Sequence, residues 1–308
     1  MSDIQVKNRW TVAELLAAEF PEPKWIIPDL VPAGLSILGG RPKMGKSYFM
    51  LQTACAVGSG GKFLNRDVEK GRVLYLALED SAGRLKKRIQ EMGIPSNTDI
   101  TFQLNWPPFQ GKGIEYLSSE IEKNGFSLVV VDTFARAIPG VDQDKAEIVG
   151  PLIARLQGLT TLHNNGIALI DHTRKPSGMA ADPIDDIMSS TAKTAVADAI
   201  FAFYREQGKA GAVLKGRGRD IVEVGIRMIW DRLTYSWQNM ENSDEADISE
   251  RKADILKALA ELGKSQVGPI AKAVHQDASN TRKRLNDMVN AGLLSIEFID
   301  GNNFYSKK

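Results

Sequence analysis

Eight consecutive residues, Gly40-Arg41-Pro42-Lys43-Met44-Gly45-Lys46-Ser47, restrict this chain more than any other stretch of its 308. They fit G-x-x-x-x-G-K-[ST], follow the apolar run Leu35–Leu38 directly and precede a helical pattern that begins near Ser47. The chemistry needs these residue types. Glycines let backbone N–H groups turn inward around phosphate oxygens, and the helix N-terminus adds its partial positive charge. Lys46 then reaches the β- and γ-phosphates and the Ser47 hydroxyl ligates Mg²⁺, with Tyr48 completing the binding segment. ATP and Mg²⁺ are the implied ligands.

A strand feeding such a loop belongs to a layered α/β domain. Further apolar runs recur at Val73–Leu78, Leu128–Val131, Ile167–Ile170, Ala199–Tyr204 and Ala212–Leu214, and the first four runs are separated by stretches long enough for helices. Continuous apolar strands such as Leu128-Val129-Val130-Val131 expect cover on both faces. The expected architecture is a mostly parallel sheet flanked by helices. Asp132 ends that strand at the edge where the phosphate loop emerges, so it is placed to hold Mg²⁺ as the Walker B acid.

Composition narrows the partners. Lys and Arg total 39 against 38 Asp and Glu, so any polyanion has to be bound locally rather than by a general positive field. The single cysteine, Cys55, excludes an internal disulfide framework and a multi-cysteine zinc site. No basic, then apolar, N-terminal segment and no run of about 18 apolar residues occurs, so a cytoplasmic protein without a membrane partner is expected.

Three more segments carry reactive side chains at strand ends. Val73–Leu78 runs into Glu79-Asp80, Ile167–Ile170 into Asp171-His172-Thr173-Arg174-Lys175, and Ala212–Leu214 into Lys215-Gly216-Arg217-Gly218-Arg219-Asp220. In AAA+ proteins the water-polarising acid directly follows the Walker B Asp, whereas Thr133 and Phe134 stand there in this chain. Together with Trp25-Ile26-Ile27-Pro28-Asp29-Leu30 and Gly34-Leu35-Ser36, these segments make residues from about Trp25 to Trp237 resemble the RecA-fold ATPase domain of RepA-like, DnaB-type hexameric helicases.

The resemblance implies roles. Glu79 is the candidate catalytic base, with Asp80 the alternative, and His172 senses the γ-phosphate. Lys215 and Arg217 match the K-x-R element that one subunit inserts into its neighbour's nucleotide site, with Arg219 an alternative finger. A homo-oligomeric ring, most simply a hexamer, would thread single-stranded DNA past two loops, 136–145 and 174–190, with Arg136, Lys145, Arg174 and Lys175 on the phosphates.

After Trp237 the composition turns polar and acidic. Residues 1–24 read as an N-terminal extension, 25–237 as the ATPase domain, 238–247 as a linker and 248–308 as a second module. That module carries ten Lys and Arg against seven Asp and Glu. Helical spacing at Ala253, Leu256, Leu259 and Leu262, a helix over Val267–Val274, a third opened by Ser279 and a hairpin turning at Asp300-Gly301-Asn302-Asn303 make a winged helix-turn-helix pattern. Its recognition helix would present Arg282, Lys283 and Arg284 to duplex DNA or to a protein partner. Two functions stay open: an ATP-driven DNA helicase or translocase of a mobile element, and a KaiC- or RadA-like nucleotide switch that binds without unwinding.

Overall fold

A computed structural model describes residues 9–19, 24–172, 191–205, 210–221, 223–240, 254–274, 276–290, 293–299 and 301–307. The expected second loop, with Arg174 and Lys175, lies outside them, as do most of the linker and residues 1–8. The chain divides into two compact units, Met1–Asn239 and Met240–Lys308.

In the larger unit, helix α1 (Val12–Ala17) and the antiparallel pair β1 (Trp25–Ile27) and β2 (Val31–Pro32) precede β3 (Gly34–Gly39). Helix α2 (Lys46–Ser59), the hairpin β4 (Gly61–Phe63) and β5 (Arg66–Val68), then β6 (Arg72–Ala77) and α3 (Ala82–Glu91) follow. Next come β7 (Ile100–Gln103), α4 (Gly113–Asn124), β8 (Phe126–Asp132), the short α5 (Phe134–Ala137), α6 (Ala146–His163) and β9 (Gly166–Ile170). The helix Thr191–Val196 leads into β10 (Ala199–Tyr204), β11 (Gly211–Gly218), β12 (Val224–Asp231) and β13 (Ser236–Asn239).

One nine-stranded sheet runs β13-β12-β11-β10-β3-β9-β8-β6-β7. From β10 to β7 every pairing is parallel, and β10 to β13 form an antiparallel meander. Leu128 to Val131 of β8 are fully buried. Alternation sends Leu128 and Val130 into one core with Phe49, Met50 and Val57 of α2, and Val129 and Val131 into a second with Ile114, Leu117 and Ile153 of α4 and α6. Both sheet faces are therefore covered, as a continuous apolar strand demands.

Three strands of this sheet have no counterpart in the expected runs. Strands β7 and β12 are only partly buried, so polar residues interrupt their apolar pattern, and β13 is four residues long. Strand β11 runs four residues past its expected end, because β10 and β12 pair with it from both sides as far as Gly216. Lys215 and Arg217 thus lie within a strand rather than in a turn after it.

The smaller unit holds a helix over 254–262, helices Val267–Ala273 and Ala278–Asn290, and the hairpin β14 (Leu294–Ile299) and β15 (Asn302–Lys307). Ile255, Leu259, Ile270, Leu285, Met288, Leu294 and Tyr305 form its core. Ser265 exchanges both backbone hydrogen bonds with Tyr305, adding a third short edge to the hairpin. Two local expectations change. Asp277 rather than Ser279 begins the third helix, its carboxylate accepting from the backbone N–H of Asn280 at 2.9 Å. The hairpin turn is also tighter than expected: Ile299 pairs with Asn302, so Asn302 and Asn303 belong to β15. Arg282 and Lys283 are exposed, while half-buried Arg284 donates to the side chain of Gln276.

Candidate functional site

The parallel strands β3, β9, β8 and β6 deliver their C-terminal ends to one edge of the sheet, where open α/β sheets bind ligands. The phosphate loop leaves β3 there, Asp132 ends β8, Glu79 follows β6 and His172 follows β9. Ala77 pairs with Asp132 in register, and the Leu78 N–H donates to the Asp132 carbonyl at 2.8 Å, which fixes the turn that carries Glu79. Residues Pro42 to Tyr48, Glu79, Asp80, Asp132 and His172 line one cavity of about 580 Å³. Residues as far apart in sequence as Pro42 and His172 thus converge at the strand ends.

Gly45 caps α2 with φ 100°, and a Cβ there would lie 2.8 Å from the buried Trp237 ring. Lys46 follows, 4% exposed, and its ammonium donates to the carbonyls of Gly40 at 2.6 Å and Arg41 at 2.8 Å. Burial lowers its pKa to about 8, opposed by the acidic groups Asp132, Asp171 and Glu79. The Lys46 Nζ is also 3.3 Å from Nδ1 of His172. An ammonium can only donate, so Nδ1 accepts, and the proton of a neutral ring sits on Nε2. Burial, then the Lys46 charge, holds the His172 pKa below its ordinary value and keeps the ring neutral.

Asp132 is buried, and its Oδ2 accepts from the Tyr75 hydroxyl at 2.9 Å. Burial raises its pKa to about 6, with the hydroxyls of Tyr75 and Ser47 pulling the other way and the Glu79 and Asp80 charges adding to the rise. Oδ1 is buried without a hydrogen-bond partner. A dehydrated carboxylate oxygen beside a serine hydroxyl is a hard oxygen donor set of the kind Mg²⁺ takes. Ser47 and Asp132 therefore fit the ion.

Glu79 and Asp80 have different partners. Asp80 is held by Arg88 and by Arg84 at 3.6 Å, which anchors the start of α3. Glu79 keeps a more open carboxylate on the cavity, its Oε1 accepting from the Thr133 hydroxyl at 2.8 Å with Arg136 Nε 3.7 Å away. Arg136, expected on a DNA loop, thus lies in α5 beside the candidate base. Arg219 is engaged within its own chain by Asp198 at 3.4 Å. Lys215 and Arg217 do not line this chain's cavity; Lys215 lies over the Tyr204 ring at 5.7 Å.

Several contributors were not singled out from sequence. Tyr75 could have been found: strand parity places it on the same face of the sheet as Asp132. Thr133 lay next to a named residue. Arg88, Arg205, Trp230 and Tyr235 line the cavity from α3 and the β10–β13 meander, and short-range sequence carries no signal for that. Lys193 is 1% exposed and bridges Asp171 at 2.7 Å and the side chain of Gln143 at 2.7 Å. Elsewhere in this unit Cys55 is half-buried with its thiol pKa pushed up by burial, and His163 Nε2 lies 3.4 Å from the Ser118 hydroxyl. Among the described residues no group of three or more His, Cys, Asp and Glu side chains is arranged to hold a metal by itself, and no helix is long and apolar enough to cross a membrane.

DNA repair protein RadA of Streptococcus pneumoniae is 25% identical over 166 residues, covering 53% of this chain and 35% of that protein. RadA of Streptococcus pyogenes serotype M6 is 26% identical over 166 residues, 53% of this chain and 33% of its own length. The chain spans about a third of the length of these relatives. The sequence profile of the family described as AAA domain matches residues 2–178, a segment that holds the phosphate loop, Glu79, Asp132 and His172. Over more than half its length, then, the chain belongs to this AAA domain family of RecA-like P-loop ATPases.

Proposed function

We propose that this ATPase works as one subunit of a ring, most simply a hexamer, that translocates along or unwinds single-stranded DNA during replication of a plasmid, phage or integrative element. The observation that carries the reading is the facing of Glu79 with Lys46 and Asp132 across one cavity, each from the end of a different parallel strand. Lys46 leaves its carbonyl partners for the β- and γ-phosphates, and His172 Nε2–H donates to a γ-phosphate oxygen. Glu79 takes a proton from the water whose oxygen attacks the γ-phosphorus, and ADP departs with the electron pair of the broken P–O bond. Ser47 and Asp132 would hold Mg²⁺, which would supply charge neutralisation to the phosphates. Thr133 positions Glu79 through its hydroxyl.

The placement of Lys215 and Arg217 away from their own chain's cavity favours action on a neighbouring subunit's site. Arg136, Arg174 and Lys175 are the cations proposed to meet the DNA strand. Because Arg136 lies 3.7 Å from Glu79, a DNA phosphate that draws it away changes the setting of the base. In the smaller unit, three helices and a hairpin support a winged helix whose exposed Arg282 and Lys283 reach duplex DNA, with Arg284 behind them.

A second reading is favoured by the RadA similarity: a nucleotide switch that binds DNA or a partner without unwinding it. ATP turnover measured with and without single-stranded DNA, together with an ATP-dependent strand-displacement assay, separates the two. The motor reading expects stimulation and displacement. Stimulation by a particular duplex with no displacement overturns it in favour of the switch.

A further inference from the structure

The helix Thr191–Val196 turns a lysine into the interior of the larger unit. Lys193 is 1% exposed and does not line the cavity. An ammonium has three N–H donors and no acceptor, so burial obliges it to find polar or anionic partners on whatever packs around it. Nζ donates to Asp171 Oδ2 at 2.7 Å and to Gln143 Oε1 at 2.7 Å, and it lies over the Phe134 ring at 5.3 Å. Apolar side chains hold a fold as well as a buried ion pair does, so stability alone is a poor reason for a charge at this position. What charge-assisted hydrogen bonds add is a fixed direction.

Two of the three partners stand one step from a group that faces the cavity. The Asp171 N–H donates to the Leu38 carbonyl of β3 at 2.9 Å, and its Oδ1 accepts from the His172 N–H at 2.9 Å. One carboxylate oxygen is thus on Lys193 and the other on the backbone of His172. Phe134, 1% exposed, opens α5 directly after Thr133, whose hydroxyl donates to Glu79 Oε1 at 2.8 Å. The third partner, Gln143, belongs to the segment between α5 and α6. Its neighbours Asp142 and Lys145 are exposed, while the Gln143 side chain turns inward to the ammonium.

We infer that Lys193 is a positioning residue of the nucleotide site: by gathering Asp171, Gln143 and Phe134 on one ammonium, it sets His172 and, through Thr133, Glu79 in the arrangement that turnover needs. This rests on the reading of His172 and Glu79 as γ-phosphate sensor and base, and adds the group that orients both from behind. Lys193 touches no reacting atom. Its effect is on geometry, where a displacement of about 1 Å costs up to about 10²-fold in rate.

Lys193→Met leaves the Asp171 charge unpaired inside the unit and lowers its stability, so the sharper test is on half-buried Gln143. Turnover number and KM for ATP in Mg²⁺, together with the urea midpoint by tryptophan fluorescence, are measured on the full chain for wild type, Gln143→Ala and Gln143→Glu. Gln143→Ala should lose about tenfold in kcat, with KM within about twofold and the midpoint nearly unchanged. Gln143→Glu keeps an acceptor oxygen for the ammonium and should return kcat to within about twofold of wild type. The inference is overturned if Gln143→Ala keeps the wild-type kcat, if Gln143→Glu is as slow as Gln143→Ala, or if kcat falls only together with the midpoint, as general loosening of the fold would cause. Wild-type protein that hydrolyses no ATP overturns the nucleotide reading and this inference with it; an active wild type with any of those three results overturns the positioning role alone.

Discussion

Lys46 is the residue on which burial and chemistry pull hardest against each other. Its ammonium is dehydrated, held by two carbonyls and brought to a pKa of about 8, so above pH 8 the free protein carries a largely neutral amine there. A triphosphate favours the charged form, so binding at pH 9 has to draw a proton from solution. Calorimetry of ATP binding at pH 9 in buffers of different ionisation heat should show uptake approaching one proton, falling towards zero at pH 7. No uptake at pH 9 would mean that Lys46 does not meet the phosphates. At this scale much was readable beforehand: Gly40 to Ser47 form one contiguous motif, and Asp132, Glu79 and His172 follow from the rule that strand ends share an edge. Arg88 and Tyr235 were not, because their relevance depends on where distant elements dock.

Elements make that docking possible, and Lys193 shows how. From the helix Thr191–Val196 it reaches the end of β9 through Asp171, whose other oxygen accepts from the His172 backbone N–H at 2.9 Å, and the 138–145 segment through Gln143. Both charges of the pair are almost fully buried. Lys193→Met leaves the Asp171 charge without its partner and should destabilise the larger unit by about 3 kcal/mol, whereas adding Asp171→Leu should recover part of the loss. All five tryptophans lie before residue 240, so urea unfolding followed by tryptophan fluorescence reports that unit. A loss under about 1 kcal/mol would show that the pair is not a structural tie. The six apolar runs foretold six strands of the main sheet: five are almost fully buried and so continuous in sequence, and the sixth, β11, alternates in burial and was marked only by Ala212–Leu214. Strands β7, β12 and β13 escaped because half-exposed strands mix polar and apolar residues.

Across the whole molecule, near-neutral charge conceals a local arrangement. Lys46, Arg84, Arg88 and Arg205 face the cavity together with Glu79, Asp80 and Asp132, so the site can receive a polyanion and a divalent cation without a net positive surface elsewhere. The two units also divide the tasks proposed for them, one holding the nucleotide site and the other exposing Arg282 and Lys283. The proposed function depends on ATP being hydrolysed in the cavity with Glu79 as base. Turnover in Mg²⁺ and equilibrium ATP binding, measured side by side for wild type, Glu79→Gln and Lys46→Ala, test it most directly. Glu79→Gln should lose about 10²- to 10⁴-fold in turnover while keeping ATP affinity within about threefold, and Lys46→Ala should lose both. Glu79→Gln turning over ATP at the wild-type rate would contradict the account.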